Sequence, residues 1–188
     1  GWWRMDVIDL DTWTLEASFS GQKRGLTTLA WSPDGSSIAT GSTDPYIRVW
    51  DIPSRVGPRK LPGHTARVTA LAVNDRAGRL LSGGFDRRVF LRSYPSLEQI
   101  GVYSGGGAYG MCTIFLGDSG DRFAYLTDAG PVIIRNSSDG SHFCTLPGRR
   151  TATALASSPD GKTLYVADYR GAVLVWDVES GVQTDLFG

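Results

Sequence analysis

Little in this sequence invites a covalent or metal chemistry. It has 188 residues, with only two cysteines, two methionines and two histidines. Cys112 and Cys144 are far apart, and neither they nor His64 and His142 fall in C-x-x-C or H-x-x-x-H spacing. No metal site is therefore expected, and a disulfide framework is disfavoured. That cysteine usage predicts a reducing compartment, the cytoplasm or the nucleus. Nineteen Lys and Arg balance nineteen Asp and Glu, so no overall field draws the chain to nucleic acid or an anionic membrane. No apolar run reaches the ~18 residues that a membrane span requires, and no basic-then-apolar leader opens the sequence. Helical periodicity is missing as well: no stretch keeps an i, i+3, i+4 apolar pattern for three turns.

Turn residues are abundant. Twenty-four glycines and nine prolines are spread at regular intervals rather than gathered in one tract. Residues 26–62, LTTLAWSPDGSSIATGSTDPYIRVWDIPSRVGPRKLP, show the unit. Leu26–Ser32 is followed by a Pro-Asp-Gly turn, Ser36–Ser42 leads to Asp44-Pro45, and β-prone Tyr46–Ile52 leads through a Pro/Ser/Gly/Arg turn to a short run ending at Leu61. Asp-Gly between two β-prone runs signals a hairpin, because both residues tolerate positive φ. Four short strands make a small sheet with two open faces, which has to stack on something to be stable.

The unit recurs. Asp44, Asp86, Asp128 and Asp168 are 42, 42 and 40 residues apart, and Ile8, Trp50, Arg92, Arg135 and Trp176 are 42, 42, 43 and 41 apart. SPDGSSIATGSTD, NDRAGRLLSGGFD, GDSGDRFAYLTD and SPDGKTLYVADYR repeat one grammar between the rungs. Four strands on a period near 42 fit the ~40–45-residue propeller blade. With Trp50-Asp51, Trp176-Asp177, Gly63-His64 and SPDG twice, the chain resembles a WD-repeat β-propeller over nearly its whole length. The expected fold is all-β: a half blade at 1–19 and four blades at about 26–62, 68–104, 109–147 and 152–187. Seven blades, usual for the resemblance, would need roughly 294 residues. The expectation is therefore part of a larger ring, with the remaining blades supplied by a parent chain or a partner chain. A closed four-blade ring carrying a stray hairpin is the other geometry.

The resemblance also implies a network in each blade: a loop His, a Ser or Thr on the second strand, a turn Asp, and a Trp on the third. Thr40, Asp44 and Trp50 supply three members in one blade, where the loop position reads Gln22-Lys23. His64, Ser82 and Asp86 supply three in the next, with Arg92 for Trp. Asp128 and Arg135 stand in the third, and Asp168 and Trp176 in the fourth, with Arg149 at the loop position. An aspartate is the one member expected throughout, as a turn carboxylate accepting backbone N–H groups.

A His64, Ser82 and Asp86 trio also reads as base, nucleophile and orienting acid, but such a trio needs a pocket and an oxyanion site. Ser104-Gly105-Gly106-Gly107 lacks the helix and Gly-Lys-Ser/Thr of a phosphate cradle. No cofactor is expected. One rim gathers Lys23, Arg24, His64, Arg67, Arg87, Arg88, Arg149, Arg150 and Arg170, with Tyr109 and Tyr169. Arginine and tyrosine anchor interfaces well, so an acidic or phosphorylated protein segment is the expected partner. Nucleic acid is disfavoured, because the interleaving of aromatic and basic residues that stacks bases is missing from the sequence. The function expected is a non-catalytic protein–protein interaction scaffold. The alternatives are a bacterial-type propeller enzyme, such as a lactone hydrolase or an oxidoreductase, suggested by SPDGKTLYVADYRGAVLVWD, and a purely architectural subunit of a large assembly.

Overall fold

The structure is a computed structural model that describes residues 3–22, 24–104, 112–127 and 129–188. Every regular element among them is a β-strand. β1 (Trp3–Ile8) and β2 (Leu15–Gln22) form a two-stranded sheet, the half blade. The first blade is β3 (Leu26–Trp31), β4 (Ser37–Ser42), β5 (Ile47–Asp51) and β6 (Arg59–Leu61). The second is β7 (Val68–Asn74), β8 (Arg79–Gly84), β9 (Arg88–Ser93) and β10 (Gln99–Ser104). The third is β11 (Thr113–Leu116), β12 (Arg122–Leu126), β13 (Val132–Asn136) and β14 (His142–Leu146). The fourth is β15 (Ala152–Ser157), β16 (Thr163–Asp168), β17 (Val173–Asp177) and β18 (Gln183–Phe187). All pairs are antiparallel and spatial order follows chain order, as short hairpin connections require.

Alternation along each strand sends one set of side chains to each neighbouring blade. Met5, Val7, Ala17 and Phe19 of the half blade pack on Ile38, Trp50 and Ile52 of the first. Ala39, Ile47, Val49 and Leu61 of the first pack on Val68, Leu80 and Leu97 of the second. Leu81, Val89 and Leu91 of the second meet Phe123 and Tyr125 of the third. Ala124, Leu126, Val132 and Ile134 of the third meet Leu155, Leu164, Val166 and Trp176 of the fourth. Fully buried chains such as Leu80, Leu91 and Leu164 each contribute about 1.5–3 kcal/mol through burial. Among the described residues no such cluster joins the fourth blade to the half blade or to the first blade. The sheets form an open stack, so the closed four-blade ring is not the arrangement of this chain.

The turns explain the periodic glycine. Ser32 Oγ donates to Asp34 Oδ1 at 2.5 Å, while the backbone N–H groups of Ser36 and Ser37 donate to Asp34 Oδ1 and Ser32 Oγ at 3.0 and 2.9 Å. Ser158 and Asp160 repeat this with the N–H groups of Lys162 and Thr163, at 2.5, 3.1 and 3.0 Å. Gly35 and Gly161 hold φ near 70° there, which closes the hairpin without a Cβ clash.

Candidate functional site

Topology places the turns after the second strand of each blade, and the loops between blades, on one rim. Here the expected networks can be followed blade by blade. Strand pairing supplies a common register: Thr40, Ser82, Tyr125 and Val166 are equivalent on the second strand, opposite Arg48, Phe90, Ile133 and Leu174. Ten residues on from each come Trp50, Arg92, Arg135 and Trp176.

In the first blade Trp50 Nε1 donates to Thr40 Oγ1 at 2.9 Å. Asp44 turns instead to Arg48, which reaches it through both terminal nitrogens at 2.9 and 2.7 Å. Arg48 is almost wholly buried, a position a guanidinium tolerates when a carboxylate meets it two-pronged. Burial opposes ionisation of Asp44, but the Arg48 hydrogen bonds and the Tyr46 backbone N–H outweigh it and hold the carboxyl below the usual aspartate range.

The second blade holds the fullest chain. His64 Nδ1 lies 2.9 Å from Asp86 Oδ1 and its Nε2 lies 3.0 Å from Ser82 Oγ. Asp86 also accepts the backbone N–H groups of Thr65 and Arg88 at 2.9 and 3.2 Å. Burial lowers the His64 pKa, and Arg92 and Arg88 push the same way against Asp86. In the neutral ring Nδ1–H donates to Asp86 and the Ser82 hydroxyl donates to Nε2. Ser82 is 1% exposed and Phe90 stands edge-on to the imidazole at 4.5 Å, so the trio is shut away from any substrate. Arg92 binds the carbonyls of Pro62 at 2.5 Å and Leu97 at 3.3 Å.

In the third blade the pair of types is changed but the geometry survives: Arg135 Nε donates to Tyr125 Oη at 3.1 Å and Nη1 to the Gly140 carbonyl at 2.9 Å. Tyr125 is a member that sequence reading missed. Its ten-residue spacing from Arg135 is the signal that could have found it. Asp128 lies outside the described residues.

The aspartate ladder does not keep one register. Asp44 and Asp86 follow the second-strand hydroxyl by four residues, whereas Asp168 ends β16 itself, paired with Ala152. Its register equivalent in the second blade is Gly84, where a Cβ would come within 2.7 Å of His64 Nδ1. The fourth blade has no loop histidine, and the Asp168 carboxylate occupies that room. It accepts the backbone N–H groups of Arg170 and Ala172 at 2.8 and 3.0 Å, the Thr151 hydroxyl at 3.2 Å and Arg149 at 3.5 Å. Burial opposes its ionisation too, and the Ala172 and Arg170 N–H groups overcome it, leaving its pKa lowered. Trp176 Nε1 is buried with no acceptor, because Val166 stands where Thr40 stands in the first blade.

On the rim surface Arg24, Arg67, Arg87, Arg88, Arg149, Arg150 and Arg170 are exposed. Tyr169 is 69% exposed. His64 is buried and adds nothing to that surface. Lys23 and Tyr109 lie outside the described residues. The fold adds two aromatics that the sequence reading passed over: Tyr46 and Phe85 are both exposed. Each exposed ring has a cation over it, with Arg67 over Phe85 at 4.8 Å, Arg170 over Tyr169 at 5.9 Å, and Arg48 and Lys60 at 5.8 Å from Tyr46. The open clefts, of about 320 and 420 Å³, lie at the opposite rim. Among the described residues no group of His, Cys, Asp and Glu is arranged to hold a metal, and no helix is long and apolar enough to cross a membrane.

A family model described as WD domain, G-beta repeat, matches residues 13–51, 58–93 and 140–177, more than half of the chain. The unmatched interval between 93 and 140 contains the Tyr125–Arg135 substitution. The mouse U5 small nuclear ribonucleoprotein 40 kDa protein is 39% identical over 69 residues, which are 37% of this chain and 19% of that protein. Meiotic fizzy-related protein 1 of Schizosaccharomyces pombe is 41% identical over 66 residues, 35% of this chain and 15% of that one. Human WD repeat-containing protein 90 is 26% identical over 182 residues, 92% of this chain and 10% of that one. The chain spans less than a fifth of the length of these curated relatives. On its repeats, its sheets and these matches, the chain belongs to the WD-repeat family of β-propeller proteins.

Proposed function

We propose that this chain is a non-catalytic module of a larger protein-interaction scaffold, and that its arginine-bearing rim takes an acidic or phosphorylated segment of a partner protein. The observation that carries this reading is how the rim's charges are used. The carboxylates of Asp44, Asp86 and Asp168 are occupied by turn N–H groups, Arg48 and His64, while Arg88 and Arg150 stand exposed on the rim that also carries Phe85 and Tyr169. Guanidinium groups bind carboxylate and phosphate two-pronged, and stacked rings add planar area with few rotors to immobilise. Relatives named as a small nuclear ribonucleoprotein protein and an anaphase-promoting complex subunit support work inside an assembly. Two free cysteines support a cytoplasmic or nuclear setting.

Fluorescence anisotropy with a labelled 15-residue peptide rich in glutamate and phosphoserine tests the rim. Binding is expected to weaken by about tenfold or more in R87E/R88E, since each lost charge-assisted contact is worth ~1.5–3 kcal/mol. Affinity unchanged by that double reversal, or a preference for single-stranded oligonucleotide over peptide at equal charge, overturns the assignment.

A further inference from the structure

On the rim opposite the arginines, the first and second blades do not close on each other. The turn from β5 to β6 has seven residues, 52–58, where the matching turns of the other three blades have five, and β6 has three residues. The outer hairpin of the first blade leaves a cleft of about 320 Å³ against the second, lined by Val49, Asp51, Val56, Gly57, Tyr94 and Pro95 among others. Two hydroxyls bridge the blades there: Ser37 Oγ lies 2.6 Å from Tyr94 Oη. A neighbouring cleft of about 420 Å³ shares Ser36 with the first and adds Glu16 and Asp34.

The arginines beside these clefts are spent on backbone carbonyls rather than on the carboxylates. Arg59 donates to the carbonyls of Pro95 and Ser96 at 3.4 and 3.1 Å, and Arg55 donates to the Glu16 carbonyl at 2.8 Å. Among the described residues the ion pairs involve neither Asp51 nor Glu16, and both are exposed. The Ser54 hydroxyl and backbone N–H hold the Asp51 carboxyl below the usual aspartate range, so it stays ionised. The turns after first and third strands, that of the half blade included, hold ten Asp and Glu against Arg55, Arg76 and Lys162. A chain of zero net charge therefore carries opposite signs on its two rims, and a cationic segment is steered to this one.

We propose that the cleft between the first and second blades is a second docking site, which takes a lysine or arginine side chain from a basic segment of a partner protein. Val49, Val56, Tyr94 and Pro95 cover the methylene stem, since such stems pack along apolar surface. Asp51 and the bridging hydroxyls meet the charged end. The adjoining cleft, with Glu16 and Asp34, receives a neighbouring cation of the same segment. An exposed ion pair alone is worth little, so the walls of the cleft decide the affinity. The site faces away from the arginine rim and stands whether or not that rim binds an acidic segment.

Fluorescence anisotropy of the full chain with a short labelled peptide rich in lysine and arginine is the test. Binding is expected, and Asp51→Asn is expected to weaken it about three- to tenfold. Gly57→Phe keeps the charge, and its Cβ meets nothing within 4 Å; it is expected to weaken binding as much by filling the cleft. Asp160→Asn removes one charge from the same rim at the fourth blade and is expected to cost less than about twofold, since separated surface charges are screened. Circular dichroism checks that each variant keeps the fold. No binding, or a loss in either D51N or G57F no greater than in D160N, overturns the site, because any attraction is then spread over the rim. Equal binding by the peptide with its lysines acetylated and its arginines replaced by citrulline overturns the cationic occupant. Displacement of the peptide by spermine at equal charge concentration overturns the protein segment in favour of a free polyamine.

Discussion

At the scale of single residues, the four blades solve one problem with different atoms. Trp50 donates to Thr40, Arg135 to Tyr125 and Ser82 to His64, while Trp176 has no acceptor. A buried N–H without a partner costs about 1–3 kcal/mol. Val166→Thr is therefore expected to stabilise the chain by ~1 kcal/mol, and Thr40→Val to destabilise it by ~1–2 kcal/mol, both read from urea denaturation. A null effect at Val166 together with a loss at Thr40 would show that the Trp176 ring packs without need of its N–H. The charged members set a pH dependence. His64 is held neutral by burial, so its folded pKa lies below its unfolded one. The unfolded chain takes up the extra proton first, and stability is expected to decline as pH falls below about 6.5. Asp44 and Asp168 have lowered pKa values; their contribution is present above the unfolded value and is lost as pH falls below about 4. His64→Gln should flatten the upper part of the curve and leave the lower part. An unchanged slope between pH 5 and 7 would remove His64 from this account.

At the scale of elements, each outer hairpin turns on one left-handed residue, five positions after the Trp50 register. Trp13, Arg55, Leu97, Gly140 and Gly181 hold φ of 56°, 54°, 68°, 73° and 66°. Only glycine adopts that conformation without a Cβ penalty, which is about 1 kcal/mol. Leu97 offsets the penalty by burial in the cluster between the first two blades. Trp13, 77% exposed, does not. Trp13→Gly is expected to raise stability by ~0.5–1 kcal/mol and Gly181→Ala to lower it by ~1 kcal/mol, since the new Cβ would meet only Leu146 at an ordinary 3.7 Å. Thermal melts of the two variants moving in the same direction would refute this. The hairpins were legible in the sequence because Asp-Gly and Ser-Pro-Asp-Gly are local chemistry. The shared left-handed position was not, because tryptophan, arginine and leucine hide what two glycines announce.

At the scale of the whole molecule, an open stack buries its middle and exposes its ends. β18 is exposed along its length, and Ile8 and Leu15 of the half blade are half exposed. In β8 and β12 every residue after the first is buried. Stability in such arrays falls to nearest-neighbour terms, and local opening is easiest where few apolar contacts must break. Amide exchange is expected to be fastest in β1, β2 and β18 and slowest in β8 and β12. Uniform protection from end to end would instead show one cooperative unit closed by association.

The sequence by itself determined the all-β class and the period of the repeat, because alternation and turn residues act over a few neighbours. It also identified His64, Ser82 and Asp86 as one group. What only the tertiary structure decided was register and neighbourhood. Asp168 looked like a fourth rung, yet it stands two residues off the position of Asp44 and Asp86, in the space that Gly84 leaves for His64. Tyr125, which nothing in the sequence singled out, receives Arg135. The physical reason is that a hydrogen bond across strands depends on which side chains the pairing sets face to face. Spacing along the chain fixes that only when both strands keep the same count.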